Sequence, residues 1–164
     1  MDATILHAVM PTIILDLKPS NLQQLWIINA YALVLSGLLI TAGALGDRFG
    51  RKRLLLWGLL VFSIASMLVY VFDSSWGLVL CRALLGLGGS MIMPSTLSIL
   101  RNIFTNTHER MIAMSVWGIM ATVGAAIGPV LGGILVELLS WQFAFFINAP
   151  IALVINCFWH SLDS

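Results

Sequence analysis

Five long apolar runs follow one another through this chain, at about 25–45, 54–72, 76–97, 111–136 and 142–160, with only short polar breaks between them. At the helical rise of about 1.5 Å per residue, roughly 20 such residues cover the roughly 30 Å hydrocarbon core of a bilayer. Backbone N–H and C=O groups find no water in lipid, and an uninterrupted helix satisfies them within one segment. The breaks hold residues that turn or solvate a chain: Gly46-Asp47-Arg48, Asp73-Ser74-Ser75, Asn102 through Arg110, and Glu137 to Ser140. Breaks this short make sequential helices antiparallel neighbours in a bundle. The expected fold class is an all-α membrane protein, with residues 1–164 as a single transmembrane domain.

Composition closes the other routes. Of the 164 residues, 60% are hydrophobic and only 9% charged, where a soluble domain carries about 25% charged residues. A globule of this size cannot hide that much apolar surface. A soluble enzyme, a nucleic-acid binder and a disordered tail are excluded together, and the lipid bilayer becomes the first expected partner. Cys81 and Cys157 lie inside apolar runs and read as small buried hydrophobes rather than a disulfide framework. The N-terminus lacks a basic segment followed by a short apolar run and a cleavage site, so no removable signal peptide is expected.

The first segment is unlike the rest. Met1 to Leu15 would extend roughly 22 Å as a helix, short of the roughly 30 Å core. Either it is interfacial, or the chain begins partway through a helix whose first turns are missing; the truncated first helix is preferred. Orientation follows from the eight Lys and Arg residues. Arg48, Arg51, Lys52 and Arg53 lie between the second and third segments, and Arg101 and Arg110 between the fourth and fifth. Only Lys18 falls on the opposite side, and Arg82 lies within a span. That asymmetry places the two basic connections in the cytoplasm. Trp26, Trp57, Trp76, Trp141 and Trp159 stand near span ends, where amphipathic rings meet the lipid–water boundary.

Four motifs stand out. The connection between the second and third segments reads Gly43-Ala44-Leu45-Gly46-Asp47-Arg48-Phe49-Gly50-Arg51-Lys52-Arg53. A turn this tight needs the backbone freedom of Gly50, and Gly43 would admit a close helix neighbour. The fifth segment carries Gly124, Gly128 and Gly132 at intervals of four, with Pro129 and Gly133 beside them and Gly118 upstream. Glycines so spaced form one smooth helix face, and the proline removes a backbone hydrogen bond there. Arg82 sits in Cys81-Arg82-Ala83-Leu84-Leu85-Gly86-Leu87-Gly88-Gly89. A guanidinium in a span either faces the bundle interior or a watery cavity, or snorkels to the outer surface. The first segment opens Asp2-Ala3-Thr4-Ile5-Leu6-His7-Ala8-Val9-Met10-Pro11, with a carboxylate at Asp2 and an imidazole at His7. Asp2 is a solvated terminal residue in the chain as written, and an intramembrane carboxylate if further turns precede it.

The first of these strings resembles the signature loop of the major facilitator superfamily. The string Gly124-x-x-x-Gly128-Pro129-x-x-Gly132-Gly133 resembles the motif of its drug:proton antiporters, and the stretch around Arg82 resembles their fourth-helix motif, with Leu85 where a polar residue is often found. The Asp2 string resembles the first-helix motif of the fourteen-span members, with His7 at an asparagine position. The segments Leu25–Tyr31 and Met91–Leu97 are similar to the quaternary-ammonium and methyl-viologen resistance exporters, where Asn29 takes a position that several of them fill with an acidic residue. Met10-Pro11-Thr12 and Met93-Pro94-Ser95 echo one another, in keeping with an inverted three-plus-three repeat.

The resemblance implies about six transmembrane helices forming the N-terminal bundle of a transporter in the cell membrane, present as an N-terminal fragment. It would export lipophilic, cationic drugs in exchange for protons, with a missing C-terminal half as its partner. Asp2, His7, Asn29 and Arg82 would serve proton coupling and substrate. Gly43, Asp47, Arg48, Gly50, Arg51 and Lys52 would form the conformational latch, and Gly124, Gly128, Pro129, Gly132 and Gly133 the antiporter motif. No cofactor, metal or nucleic acid is expected. His7, His108 and His160 are scattered, no Cys–His spacing suggests zinc, and Gly86–Gly89 lies in an apolar span without the lysine of a nucleotide loop. A symporter of small metabolites and a non-transporting membrane subunit are the alternatives; an intramembrane enzyme lacks paired catalytic groups. The topology is testable by labelling: cysteines at Ser20 and Ser74 are expected to react with an impermeant thiol reagent from outside intact cells, and one at Asn106 is not. Labelling at Asn106 would reverse the orientation.

Overall fold

The computed structural model describes residues 2–146 and 150. Six helices follow in order: α1 (Asp2–Leu17), α2 (Asn21–Phe49), α3 (Arg51–Val71), α4 (Ser75–Ile103), α5 (Thr107–Leu138) and α6 (Trp141–Phe146). Helices α2 to α5 are each long and apolar enough to cross a membrane. Beyond Phe146, the fifth apolar run at 142–160 falls almost wholly outside the described residues, as do Cys157, Trp159 and His160.

The helices overrun the apolar segments because each end finds its own hydrogen bonds. Ser20 caps α2 reciprocally: its hydroxyl accepts from the Gln23 N–H at 3.3 Å, and the Gln23 side chain accepts from the Ser20 N–H at 2.9 Å. Ser74 caps α4 by accepting from the Gly77 N–H, and Asn106 caps α5 by accepting from the His108 N–H, both at 3.0 Å. The expected break at Gly46-Asp47-Arg48 is instead helical. Helix α2 runs on to Phe49, and the Gly50 N–H closes the last turn on the Gly46 carbonyl at 3.0 Å. The chain reverses at Gly50 alone, with φ of +97°, a conformation that side chains with a Cβ rarely adopt.

Helix α4 is the centre of the bundle, packed between α2 on one side and α3 on the other. Its glycines explain how. Gly86 and Gly88 stand about 200° apart around the helix, so one serves each neighbour. A Cβ on Gly86 would lie 2.6 Å from the Tyr31 carbonyl of α2. A Cβ on Gly88 would lie 3.0 Å from the Gly58 carbonyl of α3, and one on Gly58 would lie 3.1 Å from the Gly88 carbonyl. The backbones touch, as small residues permit in lipid, where dispersion rather than water drives association.

Helix α1 lies against α5. Its buried face, Ile5, Leu6, Val9 and Ile13, joins Ile27 of α2, Val69 of α3, Leu78 and Leu85 of α4, and Trp141 and Phe145 of α6 in the main core. That core sits toward the end opposite the basic turns. A second cluster, Leu55 and Leu59 against Ile92 and Ile99, joins α3 to α4 nearer the basic end. Outward-facing positions are apolar as well: Ile40 is 84% exposed and Met120 67%, which suits a surface bathed in hydrocarbon and would be costly in water. Buried Ser63 and Ser95 return their hydroxyls to carbonyls four residues back, at 2.8 and 2.7 Å, so neither needs a neighbour.

Gly86→Ala is expected to destabilise the chain by about 1–3 kcal/mol, because the obstacle is backbone and cannot rotate aside. Gly118→Ala, where nothing lies within 4 Å of the new methyl, should stay within about 1 kcal/mol of the parent or gain from helix propensity. Thermal melts of both variants in the same detergent measure the difference; equal melting temperatures would remove the close contact.

Candidate functional site

Arg82 is the one charged side chain buried in the core among the described residues, at 1% exposure. It lies seven residues, about 10 Å, along α4 from Ser75, and it does not snorkel to the surface. Its Nε–H donates to the Ile27 carbonyl of α2 at 3.2 Å. Its guanidinium carbon stands 4.8 Å from the centre of the Tyr31 ring and 5.9 Å from that of Phe145. Two ring faces and a carbonyl supply partial negative charge where water cannot; each such contact is worth about 1–3 kcal/mol once desolvated. The chemistry available is a fixed positive charge inside the bundle, able to bias the protonation of any acid that approaches it.

At the other end, an open groove of about 300 Å³ lies between the last turns of α2, the start of α3 and the C-terminal part of α4, lined by Gly43, Gly46, Asp47, Arg51, Ser98 and Arg101 among others. Asp47 accepts from Arg51 Nη2 at 2.7 Å and from Arg51 Nε at 3.0 Å, both on Oδ1. Arg51 Nη1 reaches on to the Ser98 carbonyl at 3.5 Å. The ion pair is largely exposed and contributes at most about 1 kcal/mol, so its effect is to orient Arg51 toward α4. Arg48 stands over the neighbouring Phe49 ring at 5.6 Å. Gly43 makes no close approach: nothing described lies within 4 Å of where its Cβ would be. Its missing side chain opens the groove instead.

The glycine face of α5 meets α1. Gly128 and Gly132 are buried, and a Cβ on Gly132 would lie 3.2 Å from Ile5 Cγ2 and 3.3 Å from the Ile5 carbonyl. Gly124 and Gly133 are half-buried and Pro129 is exposed, within an unbroken helix. His7 stands on the exposed side of α1, and Asn29 is exposed on α2 with its amide donating to the Leu25 carbonyl at 2.9 Å. Asp2 opens α1, three residues ahead of Ile5; its side chain lies outside the described part.

Three groupings therefore emerge: Arg82 with Tyr31, Ile27 and Phe145; Asp47 with Arg51 on a groove shared with Arg101; and Gly132 with Ile5. Tyr31, Phe145 and Arg101 were not singled out from the sequence. A lone tyrosine in a span, four residues after Ile27, was the available signal for the first; Arg101 looked like one more cytoplasmic base. Among the described residues, no three His, Cys, Asp or Glu side chains gather as a metal site.

Known proteins share this sequence closely. The family model of the Major Facilitator Superfamily matches residues 1–162. The multidrug efflux pump LfrA of Mycolicibacterium smegmatis is 46% identical over 153 residues, covering 93% of this chain and 30% of the pump. The methyl viologen resistance protein SmvA of Salmonella typhimurium is 44% identical over 156 residues, covering 94% of this chain and 31% of SmvA. The puromycin resistance protein pur8 of Streptomyces alboniger is 36% identical over 154 residues, again with 94% of this chain and 31% of the relative. The chain thus spans about 30% of the length of the curated relatives it matches. With its run of bilayer-length apolar helices and a family match from end to end, this multi-pass, all-α membrane protein belongs to the major facilitator superfamily.

Proposed function

We propose that the chain is the N-terminal bundle of an exporter that moves lipophilic, cationic drugs out of the cell in exchange for protons. The observation that carries this is the packing of α5 on α1 at Gly132, with Gly128 buried one turn earlier on the same helix, because both glycines belong to the string that resembles the antiporter motif. The names of the relatives, a multidrug efflux pump and resistance proteins to methyl viologen and puromycin, point to the same class of cargo. In this scheme a C-terminal bundle completes the pathway, and the two bundles rock about a site near the bilayer midplane. Drug and proton each bind one orientation better, which is what couples them to the motion.

Within the scheme Asp2 takes up the proton and attracts the cation, with His7 and Asn29 on exposed faces that a substrate can reach. Arg82 holds a constant positive charge in the bundle and lowers the cost of ionising a nearby acid. Gly43, Asp47, Arg48, Gly50, Arg51 and Lys52 set the equilibrium between orientations at the cytoplasmic end. Gly124, Gly128, Pro129, Gly132 and Gly133 keep the bundle closed so that protons do not leak past the cargo.

Two variants of the intact exporter test this by ethidium efflux. Gly128→Leu is expected to lower efflux at least about tenfold while leaving membrane insertion intact, since a large side chain wedges a contact built on glycine; wild-type efflux would reduce the glycine string to helix composition. Asp2→Asn is expected to abolish the dependence of efflux on the proton gradient, because an amide cannot titrate, while Asp2→Glu keeps part of it. Unchanged gradient-driven efflux in the Asn variant would remove Asp2 from the coupling.

A further inference from the structure

We infer that Tyr31 is a positioning residue for Arg82: its ring face, with the Ile27 carbonyl one turn earlier, holds the guanidinium in one orientation inside the bundle. The inference rests on the transport role proposed above for Arg82. Helices α2 and α4 run in the same direction and meet twice at the same spacing. Arg82 and Gly86 are one turn apart on α4, and Ile27 and Tyr31 are one turn apart on α2. Arg82 Nε donates to the Ile27 carbonyl at 3.2 Å. Gly86, lacking a Cβ, brings α4 onto the Tyr31 carbonyl, where a methyl would stand at 2.6 Å. Gly89 clears the space beside the phenol: a Cβ there would lie 3.3 Å from the Tyr31 hydroxyl.

The tyrosine is thus seated by two α4 glycines and presents its π face to a side chain of the same helix, with Arg82 Cζ at 4.8 Å. On α4 the neighbouring Leu78, Cys81 and Leu85 are fully buried, as Arg82 is, and Phe145 offers a second ring at 5.9 Å. The Nε bond to the Ile27 carbonyl fixes one edge of this long, flexible side chain, and the ring at 4.8 Å constrains the plane of the guanidinium. A non-aromatic residue at position 31 leaves the charge but releases its orientation.

Two readouts separate positioning from simple packing. In the 164-residue chain in lipid nanodiscs, the Arg82 Nε–Hε resonance is expected to be shifted by the ring current and slow to exchange with water. Tyr31→Phe should preserve it, and Tyr31→Leu should move it toward the position of a free arginine; an unmoved resonance in Tyr31→Leu overturns the inference. In the intact exporter, phenylalanine and its mono-, di- and trifluorinated analogues at position 31 keep nearly the same volume while progressively draining the ring face. Ethidium efflux per exporter is expected to fall stepwise, by about tenfold across the series, and a flat series overturns the inference. In an Arg82→Gln background the same series should be flat, because the ring then has no cation to hold. Wild-type efflux in Arg82→Gln itself would instead remove the transport role of Arg82, leaving the resonance to decide the positioning alone.

Discussion

The backbone contact between α2 and α4 is the constraint on which the rest depends. Lipid gives no hydrophobic reward for bringing two helices together, so the contact has to come from dispersion at short range, and short range requires glycine. Gly86 supplies it against Tyr31, and Gly88 with Gly58 supplies the same on the α3 side. Once the helices are that close, a guanidinium one turn away finds the Ile27 carbonyl and the Tyr31 ring within reach. Move the helices apart by the width of a methyl group and Arg82 loses the Ile27 carbonyl and the Tyr31 ring while remaining in a medium that cannot solvate it. The glycines and the arginine are therefore one device: the first makes the second affordable in the bilayer.

The two ends of the bundle are built on different physics. The end opposite the basic turns holds the dry core, where α1, α2, α3, α4 and α6 meet around large apolar side chains. The basic end is looser: a single-residue turn at Gly50, an exposed Asp47–Arg51 pair and an open groove floored by Gly43 and Gly46. Large apolar side chains hold one end, and weak, screened charge contacts hold the other. The α1–α5 contact through Gly132 and Ile5 joins α5 to the helix whose buried face enters that core.

Much of this was legible in the residues. Apolar runs mark the helices because length and hydropathy alone decide whether a segment can cross a bilayer. Gly50 announced its turn because so tight a reversal between two apolar runs needs the backbone freedom of glycine. The faces were harder. These helices are apolar all round, so periodicity gives little sign of which side is inside. Gly86, Gly88 and Gly89 entered only as part of the string around Arg82, and the evenly spaced string on α5 was the one read as a packing face; the tightest described contacts are nevertheless on α4. Arg82 was conspicuous as a charge in a span, yet its choice between the interior and the surface depended on Tyr31 and Phe145, which are 51 and 63 positions away. Arg101 shares a groove with Asp47 for the same reason, a tertiary neighbour that no local pattern encodes.

The most direct measurement is cross-linking of α2 to α4 in native membranes. With Cys81 and Cys157 replaced by alanine, cysteines at Leu35 and Gly89 occupy positions where a Cβ on Gly89 lies 3.1 Å from Leu35 Cδ1, close to the reach of a disulfide. A lipid-soluble oxidant is predicted to join them rapidly within one chain, while a control pair at Leu35 and Gly118 stays reduced. Failure of the Leu35–Gly89 pair to form, in chains that remain inserted, would contradict the close α2–α4 contact and the burial of Arg82 that follows from it.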